Sequence, residues 1–172
     1  MGKTTDDVYE AASPIHGFGI FAARDFWEGD RVVTIEDEVV PPPWPELDEA
    51  GRRLYYDDLS AGRVSRLGPL QYTNHSCGFT VYTKTIDGVR YRIARREIHA
   101  GEEITSHYSI NAQGGGAWEC ACGSANCLGR LTHDFFALPR HLQVAYVDLL
   151  DDWFIEENKR DVERVRAWQN SS

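Results

Sequence analysis

The sequence predicts a mainly β protein with a C-terminal helical tail. Short apolar runs separated by turn residues occupy most of the chain, which is typical of strands in small sheets. Toward the C-terminus, apolar residues recur instead at the spacing of a helix. With 172 residues, 42% of them hydrophobic, the chain is large enough to form one globular domain with its own core.

The first strands are predicted in the segment HGFGIFAARDFWEGDRVVTIEDEVV. The runs GIFA and RVVTI are short and apolar, and the letters WEGD between them indicate a turn. The segment VVPPPWPELDEAG then interrupts the pattern, because proline lacks a backbone N–H and excludes a regular element. Within the polar stretch 46–68, a short helix is predicted around LDEAGRRLYYDDL.

A β-hairpin is predicted for the segment FTVYTKTIDGVRYRIARREI. Its two halves alternate in polarity, and Asp87-Gly88 between them favours a two-residue hairpin turn. The segment HAGEEITSHYSI is predicted to form another turn and strand, and NAQGGGAWE a flexible connector. In the tail, Pro139 suits the first turn of a helix. The apolar residues near helical spacing are Leu142, Ala145, Leu149, Leu150, Trp153 and Phe154.

The formal net charge of -9 argues against direct binding of nucleic acid, since such proteins usually carry a basic stripe. The densest basic cluster alternates with apolar residues and is predicted on a solvated strand edge; its members are Arg90, Arg92, Arg95 and Arg96. An acidic surface attracts a basic partner or substrate, although the charge also serves solubility alone.

No segment predicts a membrane location. The chain has no apolar run near the roughly 20 residues that a membrane-spanning helix needs. The N-terminal letters MGKTTDDVYEAASP lack the apolar core of a signal peptide. We therefore expect an intracellular protein, cytoplasmic or, in a eukaryote, nuclear.

The cysteines suggest a zinc site. Cys120, Cys122 and Cys127 are clustered, and three thiolates leave a tetrahedral zinc ion one ligand short. Cys77 is the one cysteine that remains, and in an intracellular protein clustered cysteines favour metal binding over disulfides. The alternatives are four independent reduced cysteines, or His133 as a substitute ligand.

Four motifs in order resemble the SET-domain lysine methyltransferases with a post-SET zinc motif. They are HGFGIFA, NHSC, GEEITSHY and CACGSANCLGRL, and the resemblance covers roughly residues 8 to 132. It implies the β-clip or SET fold, in which small sheets surround a knot-like crossing of the segment after NHSC and the GEEITSHY strand. It also implies a SET domain at 8–112, a post-SET segment at 113–132 and a helical tail at 133–172.

The resemblance implies methyl transfer from S-adenosylmethionine to a lysine ε-amine, with the two substrates entering opposite faces of a narrow channel. The acceptor is then a basic protein or peptide, with histones among the candidates. In this family the post-SET zinc site completes the channel, which implies Zn²⁺ bound by Cys77, Cys120, Cys122 and Cys127. The alternatives are a methyltransferase for a free amino acid or small amine, and a non-catalytic binding module with the same fold.

The resemblance assigns roles to individual residues. Tyr108 matches the catalytic tyrosine. The residues implied in cofactor binding are His16, Gly17, Phe18, Gly19, Asn74, His75, Trp118 and Leu128. Asn74 is expected to hold the methionine amino group and His75 the adenine. Aromatic faces suit an alkyl-ammonium group, and the candidates for the substrate channel are Tyr55, Tyr56, Tyr72, Phe79, Tyr82, Ser106 and His107.

The sequence departs from the family pattern at three places. His107 replaces the usual acidic residue before the catalytic tyrosine, and Gly78-Phe79-Thr80 replaces the usual Pro-Asn pair after NHSC. Ser106 stands where a large aromatic residue is common. A small residue there predicts a roomier site and higher methylation states.

Overall fold

The computed structural model describes residues 7–36, 38–40, 56–58, 64–66, 70 and 72–171. Within them, small antiparallel sheets precede short helices, so the predicted mainly β class with a helical tail is confirmed. The strands are β1 Val8–Ala12, β2 Phe18–Ala22, β3 Arg31–Ile35, β4 Glu38–Val40, β5 Tyr56–Asp58, β6 Val64–Arg66, β7 Val81–Ile86, β8 Val89–Ala94, β9 Glu103–Ile104, β10 Ala117–Glu119 and β11 Arg130–Thr132. The helices are α1 Arg140–Tyr146, α2 Asp152–Glu157 and α3 Lys159–Gln169, with 3-10 turns at Phe135–Ala137 and Val147–Leu149.

The strands pair into three-stranded sheets in the orders β1-β2-β9, β3-β8-β7 and β4-β6-β5, and β10 pairs with β11 as a hairpin. The predicted turn at Asp87-Gly88 joins β7 to β8, with φ angles of 51° and 77° at the two residues. Positive φ at both central positions is the geometry of the type I′ hairpin turn. Within the described residues, no helix is long and apolar enough to cross a membrane.

Two local predictions are wrong. The short helix expected around LDEAGRRLYYDDL does not form at Tyr56–Asp58, which is a strand paired with β6; residues 47–55 and 59 of that segment lie outside the described part. The basic cluster is not on a solvated strand edge, since Arg90 and Arg92 are each 6% exposed. Both lie on β8, the central strand of its sheet, so they are not at a sheet edge.

The glycine connector is hydrogen-bonded to the residue after β11. The Gly115 N–H donates to the His133 carbonyl at 3.0 Å, and the His133 N–H donates to the Gly116 carbonyl at 3.0 Å. A Cβ at Gly115 would overlap His133, which explains a glycine at this position. The connector therefore extends the β10–β11 hairpin, with the cysteine-rich loop at the hairpin's other end.

Buried apolar residues form two clusters. The sheet core lies among the N-terminal strands and contains Val8, Ile20, Ala22, Phe26, Val32, Val33, Ile35, Leu70, Val81, Ala94, Ile98 and Ile104. The tail core joins the helices to the sheets and contains Phe79, Phe135, Leu138, Tyr146, Val147, Leu150, Phe154, Val162 and Val165. Phe79 is the member of the tail core that comes from the sheet region, so it connects the two halves of the molecule.

The predicted helical tail is broken at Asp151, which caps α2. Asp151 is fully buried, and its carboxylate accepts hydrogen bonds from the Asp152 N–H at 2.8 Å and the Thr85 N–H at 3.1 Å. The Thr85 hydroxyl donates a further bond at 2.7 Å. One side chain thus satisfies a helix terminus and fixes the tail to β7.

Candidate active site and metal centre

The NHSC and GEEITSHY motifs lie side by side, as the resemblance implies. The Ser106 N–H donates to the Asn74 carbonyl at 3.0 Å, and the Ser76 N–H donates to the Ser106 carbonyl at 3.1 Å. Further along, the Thr80 N–H donates to the Thr105 carbonyl at 3.0 Å. This backbone ladder brings together residues that are about thirty positions apart and defines the candidate site.

Tyr108 is held at both ends. Its backbone N–H donates to His75 Nδ1 at 3.2 Å, and its hydroxyl donates to the Thr73 carbonyl at 2.8 Å. Burial raises the pKa of the phenol, with a further contribution from the charge of Glu103 and an opposing one from Arg92. The hydroxyl therefore stays neutral, and because its hydrogen is directed at Thr73, its oxygen can accept a hydrogen bond from a ligand.

The side-chain amide of Asn74 organises the HGFG loop. Its nitrogen donates to the carbonyls of Phe18 at 2.9 Å and His16 at 3.2 Å, and it also lies within hydrogen-bonding distance of Ser13 Oγ at 3.1 Å and Glu103 Oε1 at 2.8 Å. An amide nitrogen has two hydrogens, so these acceptors share them. All four of these contacts use the amide nitrogen of Asn74.

Sequence reasoning missed Ser13 and Glu103. The Ser13 hydroxyl donates to the Glu103 carboxylate, 2.9 Å from either oxygen, although the two residues are 90 positions apart. A Cβ at Gly19 would overlap Glu103 Oε1, so this glycine admits the carboxylate beneath the loop. The second Glu of GEE was visible in the motif, but no local pattern indicated its contact with Ser13.

His75 uses both ring nitrogens inside the protein. Nδ1 accepts from the Tyr108 N–H, and Nε2 lies 3.4 Å from Cys77 Sγ. Burial lowers the pKa of His75 to about 4, although the nearby Ser106 carbonyl opposes that shift. The imidazole is thus neutral at physiological pH.

Three of the four cysteines lie together with His75. Cys77 Sγ and Cys120 Sγ are 3.9 Å apart, and one atom from each of His75, Cys77, Cys120 and Cys122 lies within 4.8 Å of the others. Cys127 lies beside this group, with its thiol 3.4 Å from the Cys120 carbonyl. His133 is not part of the grouping found among the described residues.

Backbone N–H groups point at the sulfur atoms, as expected for thiolates. The Leu128 N–H donates to Cys77 Sγ, and the Cys77 N–H donates to Cys122 Sγ, both at 3.4 Å. Burial raises the pKa of Cys77 to about 11. Burial also acts to raise the pKa of Cys122, but hydrogen bonds from the backbone of Cys77 and Ser124 outweigh it and lower that pKa to about 7. Of Cys77 and Cys122, Cys122 is therefore the thiol that ionises more readily.

The predicted cofactor and channel residues separate into surface and core positions. Phe18 is 53% exposed and contacts Tyr72 with ring centroids 5.9 Å apart, while the ring centroid of Trp118 lies 6.1 Å from that of Tyr108.

Phe79 is fully buried in the tail core, against which Tyr82 and Leu128 also pack. Ser106 is 8% exposed. Tyr55 lies outside the described residues, and only the backbone of Tyr56 is described, on β5.

His107 is enclosed by aromatic rings. It is 4% exposed and contacts His75, Phe79 and Tyr146, with centroid distances of 4.9, 5.5 and 5.8 Å. Burial lowers its pKa to about 3, with contributions from His75 and from the positive charge of Arg95. Its Nε2 atom has no hydrogen-bond partner among the described residues. A neutral, enclosed imidazole is suited to packing rather than to proton transfer.

Comparison with known proteins agrees with this geometry. The SET domain family model matches residues 17–109. The chain is 32% identical over 136 residues to the histone-lysine N-methyltransferase trr of Drosophila melanogaster, covering 71% of this chain and 6% of that protein. It is 29% identical over 145 residues to an H3 lysine-36 specific histone-lysine N-methyltransferase of Yarrowia lipolytica, covering 76% of this chain and 19% of that protein.

A third relative is the histone H3-lysine(4) N-trimethyltransferase ATX1 of Arabidopsis thaliana, which is 31% identical over 161 residues. That alignment covers 84% of this chain and 15% of the relative. The chain thus spans less than a fifth of the length of each of these three proteins. The family match extends over more than half of the chain, from the HGFG loop to the GEEITSHY motif. The chain belongs to the SET domain family.

Proposed function

We propose that this protein is an S-adenosylmethionine-dependent protein-lysine N-methyltransferase. The observation that carries the proposal is Tyr108, whose neutral hydroxyl is hydrogen-bonded to Thr73 beside the crossing of the two SET motifs. Relatives named as histone-lysine N-methyltransferases support the same activity. A binding module without activity has no need for a tyrosine hydroxyl held in this position.

The HGFG loop and Asn74 are the proposed cofactor-binding elements. Asn74 uses its amide nitrogen to hold the loop, which leaves Oδ1 to accept from the ammonium of the methionine moiety. His75 has both ring nitrogens occupied, so its main chain is the part that remains for the adenine. Trp118 is the half-buried aromatic residue beside Tyr108 and suits stacking on the adenine.

S-adenosylmethionine supplies an electrophilic methyl group on a sulfonium. The attacking lysine amine must be neutral, and burial of its side chain lowers its pKa because desolvation disfavours the ammonium form. Tyr108 Oη is the proposed group that orients the amine and accepts from the polarised methyl hydrogens. The lysine nitrogen forms the new bond to carbon as the carbon–sulfur bond breaks, and the proton released from nitrogen passes to solvent.

A lysine in a histone or another basic protein is the proposed substrate. The names of the relatives refer to H3 lysines, and the net charge of -9 favours a basic partner by long-range attraction. Because Ser106 is small, we propose di- or trimethylation in place of monomethylation. A nuclear location is proposed on the same ground, provided that the source is a eukaryote.

The decisive experiment measures methyl transfer to histone H3, to unstructured basic peptides and to free lysine in parallel. We expect transfer to a protein or peptide lysine, with the methylation state read by mass spectrometry. Transfer to free lysine alone would favour the small-amine enzyme. Binding of S-adenosylhomocysteine in calorimetry, without transfer to any acceptor, would favour the non-catalytic module.

We propose one zinc ion per chain, bound by Cys77, Cys120, Cys122 and Cys127. The separation of 3.9 Å between Cys77 Sγ and Cys120 Sγ fits the edge of about 3.8 Å in a tetrahedron with Zn–S bonds of about 2.3 Å. The N–H groups directed at sulfur suit a thiolate centre. Elemental analysis of the purified protein should find one zinc per chain. Protein that is purified without any zinc and has four freely titratable thiols would contradict the site.

A further inference from the structure

His75 lies between the cysteine centre and Tyr108 and contacts both. Its Nδ1 atom is 3.2 Å from the Tyr108 backbone nitrogen, which carries a hydrogen directed at the ring. Its Nε2 atom is 3.4 Å from Cys77 Sγ. The ring also packs against His107 at 4.9 Å and against the Tyr108 ring at 5.3 Å, so its orientation is restricted on more than one side.

The hydrogen bond from Tyr108 determines which ring nitrogen carries the proton. A backbone N–H can only donate, so Nδ1 must present a lone pair and the hydrogen must be on Nε2. The Ser106 carbonyl also accepts a hydrogen bond from the ring, beside the one from the Ser76 N–H at 3.1 Å, because a carbonyl oxygen has two lone pairs. A nitrogen that carries a hydrogen has no lone pair for a metal, so Nε2 instead donates to the Cys77 sulfur.

We infer that His75 is a positioning residue that joins the cysteine centre to Tyr108, and that it is not a ligand of the metal. The inference rests on the proposed function, in which Tyr108 is the catalytic residue and zinc occupies the cysteines. Cys127 is then the fourth ligand, although His75 lies closer to the other three.

This bridge gives the metal centre an effect on the reaction geometry. Tyr108 is hydrogen-bonded at its hydroxyl by Thr73 and at its backbone by His75, so a shift of the imidazole moves one of the two fixed points. Misplacement of a reacting group by about 1 Å can lower a rate about 100-fold. Hydrogen bonds to metal ligands typically change metal affinity about 10- to 100-fold.

The first test reads the imidazole directly and needs no activity. In zinc-loaded protein labelled with ¹⁵N-histidine, the nitrogen chemical shifts of His75 should be those of the Nε2–H tautomer. In protein loaded with ¹¹³Cd instead, His75 Nε2 should show no direct one-bond splitting by the metal. An unprotonated Nε2, or such a splitting, would overturn the inference and make His75 a ligand.

The second test separates the two hydrogen bonds. In His75→Asn the side-chain oxygen can replace Nδ1, but nothing reaches Cys77; chelators should then remove zinc about tenfold faster. In His75→Gln the amide reaches the Nε2 position and the acceptor for Tyr108 is lost; the Tyr108 amide resonance should shift while zinc release stays near the wild-type rate. In both variants kcat should fall about tenfold or more, with affinity for S-adenosylhomocysteine changed less.

His99→Asn is the matched control, because the side chain of His99 is 69% exposed at a remote turn. Its zinc release, Tyr108 amide resonance and kcat should equal those of the wild type. Unchanged zinc release in His75→Asn, or an unshifted Tyr108 amide in His75→Gln, would contradict the bridge. A wild-type protein with the Nε2–H tautomer but without any methyl transfer would refute the proposed function and leave the bridge intact.

Discussion

Among single residues, Tyr108 carries the proposed chemistry through one oxygen atom. Tyr108→Phe keeps the ring and its contacts with His75 and Trp118, so folding and cofactor affinity should be unchanged. Loss of one preorganised polar group in a reaction centre typically lowers the rate about 100-fold or more. Single-turnover methyl transfer measures this effect, and Tyr9→Phe, at an exposed tyrosine on β1, is the control. Near wild-type turnover in Tyr108→Phe would refute the assigned mechanism.

Asn74 should matter for binding rather than for the chemical step. Asn74→Ala removes the hydrogen bonds to the Phe18 and His16 carbonyls and leaves the loop without its support. Loss of about 1 to 3 kcal/mol corresponds to a decrease in affinity of roughly 5- to 150-fold. Calorimetry with S-adenosylhomocysteine measures it. Asn74→Asp should bind no better, because its carboxylate would face Glu103; unchanged affinity in both variants would exclude the role.

The candidate site residues that could be predicted from the sequence lie in short contiguous motifs. The motifs NHSC and GEEITSHY contain Asn74, His75 and Tyr108, which the fold brings together, while the roles of these residues and the zinc at the cysteines stay predictions. Ser13 and Glu103 were missed because their contact joins positions 90 residues apart. The direction of Phe79, into the tail core, depends on helices that follow much later in the chain.

Among the elements, the junction between the tail and β7 depends on Asp151. Asp151→Ala would leave the partly buried donors at Thr85 and Asp152 without the Asp151 carboxylate as acceptor, so the free energy of unfolding should fall by about 3 kcal/mol. Urea denaturation measures this change. The control is Asp152→Ala, which removes an exposed ion pair with Lys84 and should cost less than about 1 kcal/mol. Equal effects of the two substitutions on the free energy of unfolding would contradict the role of Asp151 at this junction.

The strands and helices were predicted where side-chain pattern and turn chemistry agree. The hairpin β7–β8 follows from Asp87-Gly88 and alternating polarity. The order β3-β8-β7, which places Arg90 and Arg92 on a central strand, could not be predicted, because strand pairing depends on contacts between distant segments. The tail breaks at Asp151 because its carboxylate bonds to β7 as well as to its own helix.

At the scale of the whole molecule, stability should decrease below neutral pH because of His107. Its pKa is about 3 in the folded state and 6.5 ordinarily, so between these values only the unfolded chain binds the proton. The contribution of His107 to the free energy of unfolding is therefore fully present above pH 6.5 and is lost as the pH falls toward 3. The free energy of unfolding should decrease by about 1.4 kcal/mol per pH unit in this range, which amounts to roughly 2 kcal/mol between pH 6.5 and pH 5.

Urea denaturation at pH 7.5 and at pH 5 tests this dependence. The wild type should lose stability between the two pH values, and His107→Phe, which cannot bind a proton, should lose about 2 kcal/mol less. His99→Asn should behave as the wild type, because its side chain is exposed. Identical losses in the wild type and in His107→Phe would show that the imidazole does not carry the effect.

The position of Phe79 also bears on the order in which the chain can fold during synthesis. Cys77 joins the cysteine loop, Phe79 enters the tail core and Val81 enters the sheet core, so three consecutive odd-numbered residues require partners from three different regions. Arg95 and His107 also contact Phe79, but the other buried members of the tail core begin at Phe135, and a nascent chain that has not reached them leaves part of this ring in water. The NHSC segment therefore becomes fully packed only after the tail has left the ribosome, and contacts this distant in sequence are the ones that form slowly.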